Sequence, residues 1–148
     1  MLRVTVMEGR MAKATSSFDG DQGKQPSVIA LQQITRANNA FRAAAWTGDH
    51  LQLTLMTIDV GDDIGMEVHD DHDQFLRIEA GAAEVQMGPN AKDVTTWQAT
   101  TGDAIFVPAG TWHNISNSGQ SPLKLYSIYA GPEHPHGTIH PTKADAEA

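Results

Sequence analysis

The sequence of 148 residues contains no cysteine. This absence excludes disulfide bonds, a thiolate nucleophile and a thiolate metal site. Long apolar runs are also missing, since no stretch approaches the roughly 20 residues that a membrane-spanning helix needs. We therefore expect no membrane partner for this chain.

Basic residues are few, with 10 Lys and Arg against 18 Asp and Glu, which gives a net charge of −8. An acidic surface is repelled by phosphate backbones, so we expect no nucleic-acid partner. Residues 1–17 lack a continuous apolar core, so we expect no secretory signal and a cytoplasmic location. The length suits one domain with a substantial core.

The middle of the chain consists of short strand patterns separated by turns. Residues 51–60 alternate apolar and polar side chains, which predicts a half-buried strand. Further strands are predicted at residues 41–47, 74–78, 82–87, 94–99, 104–107, 113–116 and 123–130. Such a series is typical of an all-β sandwich or barrel.

The two ends of the chain differ from this middle part. Residues 1–26 are polar and small, so we predict a flexible N-terminal arm, loosely ordered or lying on a partner subunit. The barrel is predicted to occupy residues 27–130, although residues 27–40 fit either a short strand or a helical turn. Residues 131–148 carry three prolines and three histidines, and we predict an extended surface tail there.

A first polar cluster lies in residues 61–81. Glu67 and His69 are two apart in an extended run. Side chains two apart on a strand point to the same face, so both can reach one metal ion. Gln74 opens the next strand and is a third candidate ligand. An ordinary structural explanation also exists, in which Glu67 and His69 form a buried pair and Gln74 satisfies a backbone group.

A second cluster, in residues 102–117, supplies His113. Pro108 and Gly110 precede it and predict a rigid bend with a close backbone approach. His72, by contrast, lies three residues after His69 within an acidic turn. An offset of three reverses the face of an extended chain, so we expect His72 to be exposed and not to be a ligand.

These two stretches resemble the two sequence motifs of the cupin superfamily. The first motif runs Gly, five residues, His-x-His, three or four residues, Glu, six residues, Gly, and the second runs Gly, five residues, Pro-x-Gly, two residues, His, three residues, Asn. The matching positions here are Gly61, Glu67, His69, Gln74 and Gly81, then Gly102, Pro108, Gly110, His113 and Asn117. The resemblance covers about residues 41–130 and implies a jelly-roll β-barrel with a metal ion in its mouth.

The sequence departs from the family at two ligand positions. Glu67 replaces the first histidine and Gln74 replaces the usual glutamate, so the charge of the ligand set is unchanged. The resemblance implies a divalent ion held by Glu67, His69, Gln74 and His113. Zinc, iron, manganese or nickel would suit these ligands, with zinc or iron favoured.

Three functions fit such a site. The protein resembles phosphomannose isomerases of the superfamily, which hold zinc with a Gln-x-His pair, a Glu and a His, and this implies sugar (phosphate) isomerisation. Only Arg42, Arg77 and Lys124 lie in the barrel strands, however, and no phosphate cradle is visible. Two His and one carboxylate also suit a non-haem iron dioxygenase. The third possibility is a non-catalytic, metal-dependent binding module for a small molecule.

The remaining expectations concern the surface. The histidines outside the motifs, His50, His134, His136 and His140, are expected at the surface. A single jelly roll leaves open sheet edges, so we expect a homodimer. Phe75 and Arg77 should face away from Gln74 and are candidate contacts of its outer face.

Overall fold

The computed structural model describes residues 9–148, so the expectations for residues 1–8 lie outside the described part. In the described part, no helix is long and apolar enough to cross a membrane. The elements are α1 (Leu31–Ala37), β1 (Arg42–Thr47), β2 (Gln52–Ile58), β3 (Gln74–Ala80), β4 (Ala82–Gly88), β5 (Thr95–Thr100), β6 (Ala104–Val107), β7 (Trp112–Asn117), β8 (Leu123–Tyr129), β9 (Ile139–His140) and α2 (Lys143–Glu147).

The strands form two antiparallel sheets. One has six strands in the order β6-β3-β8-β2-β1-β9, and the other has three in the order β5-β4-β7. Apolar side chains from both sheets build one core, which includes Ile58, Ile78, Val85, Ile115 and Leu125. The predicted all-β class is therefore confirmed, and the ambiguous residues 27–40 contain the helix α1.

Strand β2 is buried on both faces, so the prediction of a half-buried strand is wrong. All of its residues are buried. Its inner face meets the core, and its outer face is covered by residues from α1 and the segment before it. Ile34 of α1 packs there with Leu53 and Leu55. The outer face is therefore buried by a distant segment, which the alternation within β2 could not reveal.

The N-terminal segment is tied to the barrel of its own chain through Asp21. The Asp21 side chain is 0% exposed. Its carboxylate accepts hydrogen bonds from the Thr47 backbone (2.9 Å), the Thr47 hydroxyl (2.6 Å), Gly23 N (3.0 Å) and Gly137 N (2.9 Å). Burial acts to raise the pKa of Asp21, but these hydrogen bonds outweigh it and lower the pKa. One carboxylate thus joins the N-terminal segment, β1 and the C-terminal segment.

The C-terminal segment, residues 131–140, is held by the buried side chain of Gln52. Its Nε2 donates to the carbonyl of His134 at 2.8 Å and to the Thr47 hydroxyl at 3.0 Å. Its Oε1 accepts from the backbone N–H groups of Glu133 and His134, each at 3.0 Å. Farther along, β9 pairs with β1, and α2 follows. We name these four contacts the Gln52 clasp; they fix the backbone of Glu133 against the barrel.

The outer face of β3 carries Phe75 and Arg77, opposite Gln74, as predicted. Phe75 packs with Tyr126 and lies 5.2 Å from the ring of Phe106. Arg77 forms an ion pair with Glu79. The homodimer remains a prediction.

Candidate metal centre

The centre begins with a direct pairing between the two motifs. Glu67 N donates to His113 O and His113 N donates to Glu67 O, each at 2.9 Å. Residues that exchange both bonds stand opposite each other with side chains on the same face. His69, two residues beyond Glu67, projects from that face as well. Three of the four predicted ligand residues are therefore brought together.

Backbone contacts between the motifs fix this alignment. Gly110 N donates to the carbonyl of His69 at 2.8 Å. Gly110 has φ +78°, a conformation that other residues rarely adopt. Gly81, which closes the first motif, has φ +106°, and a Cβ there would lie 3.2 Å from the Cα of Leu123. Both glycines are needed for the backbone path, which explains their positions in the motifs.

The distances within the cluster suit a metal ion. Oε1 of Glu67 lies 3.4 Å from Nε2 of His69 and 3.4 Å from Nε2 of His113. Ligand atoms about 2.0–2.1 Å from an ion in tetrahedral geometry are separated by about 3.4 Å. The three ligand atoms all lie within 4.8 Å of one another. The cluster can therefore supply three ligands to one divalent ion.

The tautomer of His113 supports this interpretation. Its Nδ1 lies 3.0 Å from the carbonyl oxygen of Thr111, which can only accept, so Nδ1 carries the hydrogen. In the neutral ring, Nε2 then presents a lone pair toward the carboxylate of Glu67. Nε2 of His113 and Nε2 of His69 are both buried without a hydrogen-bond partner in the described residues. A positive charge between these atoms, a proton or a metal ion, would make the arrangement favourable.

The titration of the cluster agrees with this need for positive charge. Burial acts to raise the pKa of Glu67, but interactions with His113 and His69 outweigh it and lower the pKa to about 2. The pKa of His69 is raised, first by its interaction with Glu67, against the effect of burial. The metal-free site thus attracts a proton where a cation fits.

Gln74 lies on β3 in register with Val107 and Tyr129, and it is buried. Its Nε2 donates to the hydroxyl of Ser127 at 2.7 Å. Its Oε1 is buried and has no hydrogen-bond partner in the described residues. The free atom is therefore the carbonyl oxygen, the only atom of this amide that can act as a metal ligand.

His72 is buried, so the expectation that it is exposed is wrong. Its side chain is 7% exposed and its ring stacks on that of His69, with centroids 5.1 Å apart. Its Nδ1 lies 3.0 Å from Oδ1 of Asp71, and its Nε2 lies 3.1 Å from Oε2 of Glu133. The chain bends at residues 70–71. The alternation of an extended chain therefore does not apply to an offset of three here.

Glu133 is the residue that sequence reasoning missed. It stands 3.3 Å from Nδ1 of His69, on the side of the ring opposite Nε2. A carboxylate behind a ligating histidine holds its ring and raises its basicity. With His69 and His72 it forms a second acidic and histidine cluster. Glu133 lies outside both motifs, so the motif spacing does not identify it. The Gln52 clasp holds its backbone near the centre.

Alanine substitutions separate the roles of Gln74 and His72. We expect His72→Ala to keep metal affinity within about tenfold, because Nε2 of His72 faces Glu133 and its ring only stacks on that of His69. Gln74→Ala removes a candidate ligand oxygen and should weaken affinity more. Competition with a chromophoric chelator would measure both. The reverse order would make His72 the ligand and Gln74 a bystander.

Comparisons with known proteins agree with this architecture. The cupin domain family matches residues 54–129. An uncharacterised protein of Bacillus subtilis, YrkC, is 55% identical over 130 residues, 86% of this chain and 69% of the relative. An uncharacterised protein of Acanthamoeba polyphaga mimivirus, L612, is 43% identical over 116 residues, 78% of this chain and 71% of the relative.

Two solved structures are similar to this chain in three dimensions. The crystal structure of BH2720 from Bacillus halodurans has a TM-score of 0.86 and 54% identity, and the match covers 87% of this chain and 98% of that chain. Oxalate decarboxylase of Bacillus subtilis has a TM-score of 0.54 at 20% identity over 59% of this chain and 23% of that chain, which indicates the fold alone.

The similarity to sugar-phosphate enzymes is only distant. A putative mannose-1-phosphate guanylyltransferase of Vibrio cholerae is 27% identical over 84 residues, which are 57% of this chain and 17% of the relative. The predicted jelly roll is confirmed by the family match and the solved structures. This chain therefore belongs to the cupin domain family.

Proposed function

We propose that this protein is a metal-dependent enzyme acting on a small, oxygen-rich metabolite. The ion, zinc or iron, is held by Glu67, His69, Gln74 and His113. The observation that carries the proposal is the convergence of two buried, unpartnered Nε2 atoms on one carboxylate oxygen, each at 3.4 Å. A simple buried ion pair would instead align its N–H groups with the carboxylate.

Isomerisation of a hydroxy-carbonyl compound is the reaction that the neighbouring groups favour. A bound divalent ion would polarise a carbonyl or hydroxyl oxygen as a Lewis acid. Proton transfer between adjacent carbons then requires a base beside the centre. Glu133 and His72 face each other at 3.1 Å next to His69, and the Glu133 side chain is 31% exposed. We propose Glu133 as the group that takes and returns the proton, with one carboxylate oxygen toward His72 and the other toward Nδ1 of His69.

A phosphate group on the substrate is less well supported. On β3, Arg77 lies on the outer face and is paired with Glu79. Lys124 donates to Asn38 and Asn39. Neither cation is available at the metal centre, and Arg42 alone remains in the interior. We therefore favour an unphosphorylated substrate over a sugar phosphate, despite the distant similarity to a putative mannose-1-phosphate guanylyltransferase.

A non-haem iron dioxygenase is the second candidate. Two histidines and one carboxylate with open positions are the set that iron(II) oxygenases use. Glu67, His69 and His113 have that composition. Glu133 would then hold His69 in place and take no part in proton transfer.

The test is solvent proton exchange without dioxygen. Metal-loaded protein is incubated anaerobically in D₂O with a panel of aldoses and hydroxy-ketones, and proton NMR follows the loss of the signal next to the carbonyl. We expect exchange that falls at least tenfold in Glu133→Gln. Glu84→Gln, on β4, is the matched control and should behave as the unchanged protein.

Other outcomes of this assay distinguish between the isomerase, the dioxygenase and the binding module. Turnover that requires iron and consumes dioxygen would contradict the isomerase and support the dioxygenase. Metal binding without exchange and without dioxygen uptake across the panel would contradict both enzymes and leave a binding module.

A further inference from the structure

Arg42, at the start of β1, is a buried cation inside the barrel. It is 8% exposed. Its partner across the ladder is Met56, which pairs in turn with Leu125, and both of these belong to the core between the sheets. Cross-strand partners share a face, so the Arg42 side chain begins on the inner face of the six-stranded sheet. It is not one of the residues that the cupin motifs contain.

The charge of Arg42 has no acidic partner in residues 9–148. None of the ion pairs found there, with N···O up to 4.0 Å, includes Arg42. Nη1 lies 3.3 Å from Nδ1 of His140, and the guanidinium carbon lies 5.3 Å from the ring centre of Phe41. Nε is buried without a hydrogen-bond partner in the described residues.

The histidines beside Arg42 cannot compensate its charge. Burial and then the charge of Arg42 lower the pKa of His134 to about 4. The same two causes, in the same order, lower the pKa of His140. Both histidines are therefore neutral near pH 7. His134 is half-buried, so the expectation that it lies at the surface is wrong.

Other buried polar atoms on the inner side of the six-stranded sheet also lack partners. On the neighbouring strand, Oγ1 of Thr54 is unpartnered in the described part of the chain, as are Oε1 of Gln74 and Nε2 of His134. Thr54 pairs with Ala44 and Ser127, and Ser127 is the acceptor for Gln74. This inner row therefore carries polar side chains between the strand of Arg42 and that of Gln74.

A buried cation without a counter-charge is costly, and in proteins such charges are paired. We propose that Arg42 binds the carboxylate of a small metabolite inside the barrel. A guanidinium matches a carboxylate because its N–H groups can donate in parallel to both oxygens. A single guanidinium, in an interior where the carboxylate of Glu67 also acts on His134, matches a monoanion better than a phosphate dianion. The inference rests on the proposed function and extends it, since it assigns a carboxylate group to the compound on which the metal centre acts.

The test measures binding of simple carboxylates to metal-free and to zinc-loaded protein. Acetate, glycolate and malonate are the probes, acetamide is the neutral comparison, and calorimetry and thermal unfolding are the readouts. At roughly 100 times Kd, a bound carboxylate should raise the Tm of the unchanged protein by about 5–10 °C. Acetamide should not.

Arg42→Met removes the charge and keeps the apolar stem. We expect carboxylate binding about 10- to 100-fold weaker. We also expect a ligand-free Tm equal to or above that of the unchanged protein, because an uncompensated buried charge has been removed. The matched control is Arg10→Met, the same change at an exposed position, which should leave binding unaltered. If Arg42→Met does not fold, Arg42→Lys is used instead. This change replaces the planar guanidinium with a single ammonium group and should weaken carboxylate binding at least tenfold.

Two results would overturn the inference. One is the absence of carboxylate binding by the unchanged protein, and the other is binding at full strength by a folded Arg42 variant. The metal-free measurements keep this test separate from the proposed function. Absence of metal in elemental analysis would contradict the metal hypothesis. Absence of carboxylate binding by the metal-free protein would contradict the Arg42 hypothesis.

Discussion

Substituting His113 by alanine is expected to give a folded protein that no longer retains a stoichiometric metal ion. His113 is 0% exposed, and its Nε2 faces Glu67 at 3.4 Å without another partner in the described chain. Removing groups behind a ligand costs about 10–100-fold in affinity, so removing a ligand should cost more than about 100-fold. Elemental analysis after dialysis, with circular dichroism as the folding check, measures the effect.

The control for this experiment is His50→Ala. His50 is exposed between β1 and β2, outside both motifs, so the change removes an imidazole without touching the centre. It should retain the metal content of the unchanged protein. Full metal content in folded His113→Ala would show that the ligand assignment is wrong.

Substituting Gln52 by leucine should destabilise the protein by about 3–5 kcal/mol, because several buried groups lose their partners together. Gln52 is 0% exposed, and its clasp satisfies the backbone of Glu133 and His134. Leucine has a similar volume but can neither donate nor accept. Urea unfolding of metal-free protein would measure the free energy, and hydrogen exchange would report release of residues 131–140.

The matched control is Gln98→Leu on β5, where the side chain is exposed. Exposed substitutions usually change stability by less than about 0.5 kcal/mol. In Gln52→Leu the metal affinity should also fall about tenfold, since Glu133 is no longer held behind His69. An equal loss in the free energy of unfolding for Gln52→Leu and Gln98→Leu would contradict the structural role of the clasp.

The parts of the site that were predictable depend on short-range geometry. Glu67 and His69 share a face because strands alternate, and the spacing around Pro108 and Gly110 delivers His113 to the same place. The strand series predicted the all-β class for a similar reason, because turns and alternation are local properties.

The parts that were not predictable depend on contacts between distant residues. Glu133 is positioned by Gln52, which is 81 residues away in the sequence. Burial of β2 requires α1 on its outer face. The orientation of His72 follows from a bend that ends the extended run, and the isolation of Arg42 becomes apparent only when its neighbours are known.

The Gln52 clasp also has a consequence for the order in which a newly synthesised chain acquires metal. The ribosome delivers Glu67, His69 and His113 before the residues that follow β8. A nascent chain can therefore pair its two motifs while the imidazole of His69 has no carboxylate behind it. Glu133 takes that position only after the segment has docked on Gln52. With the ligand set proposed above, metal affinity would be about tenfold lower during translation than after docking is complete.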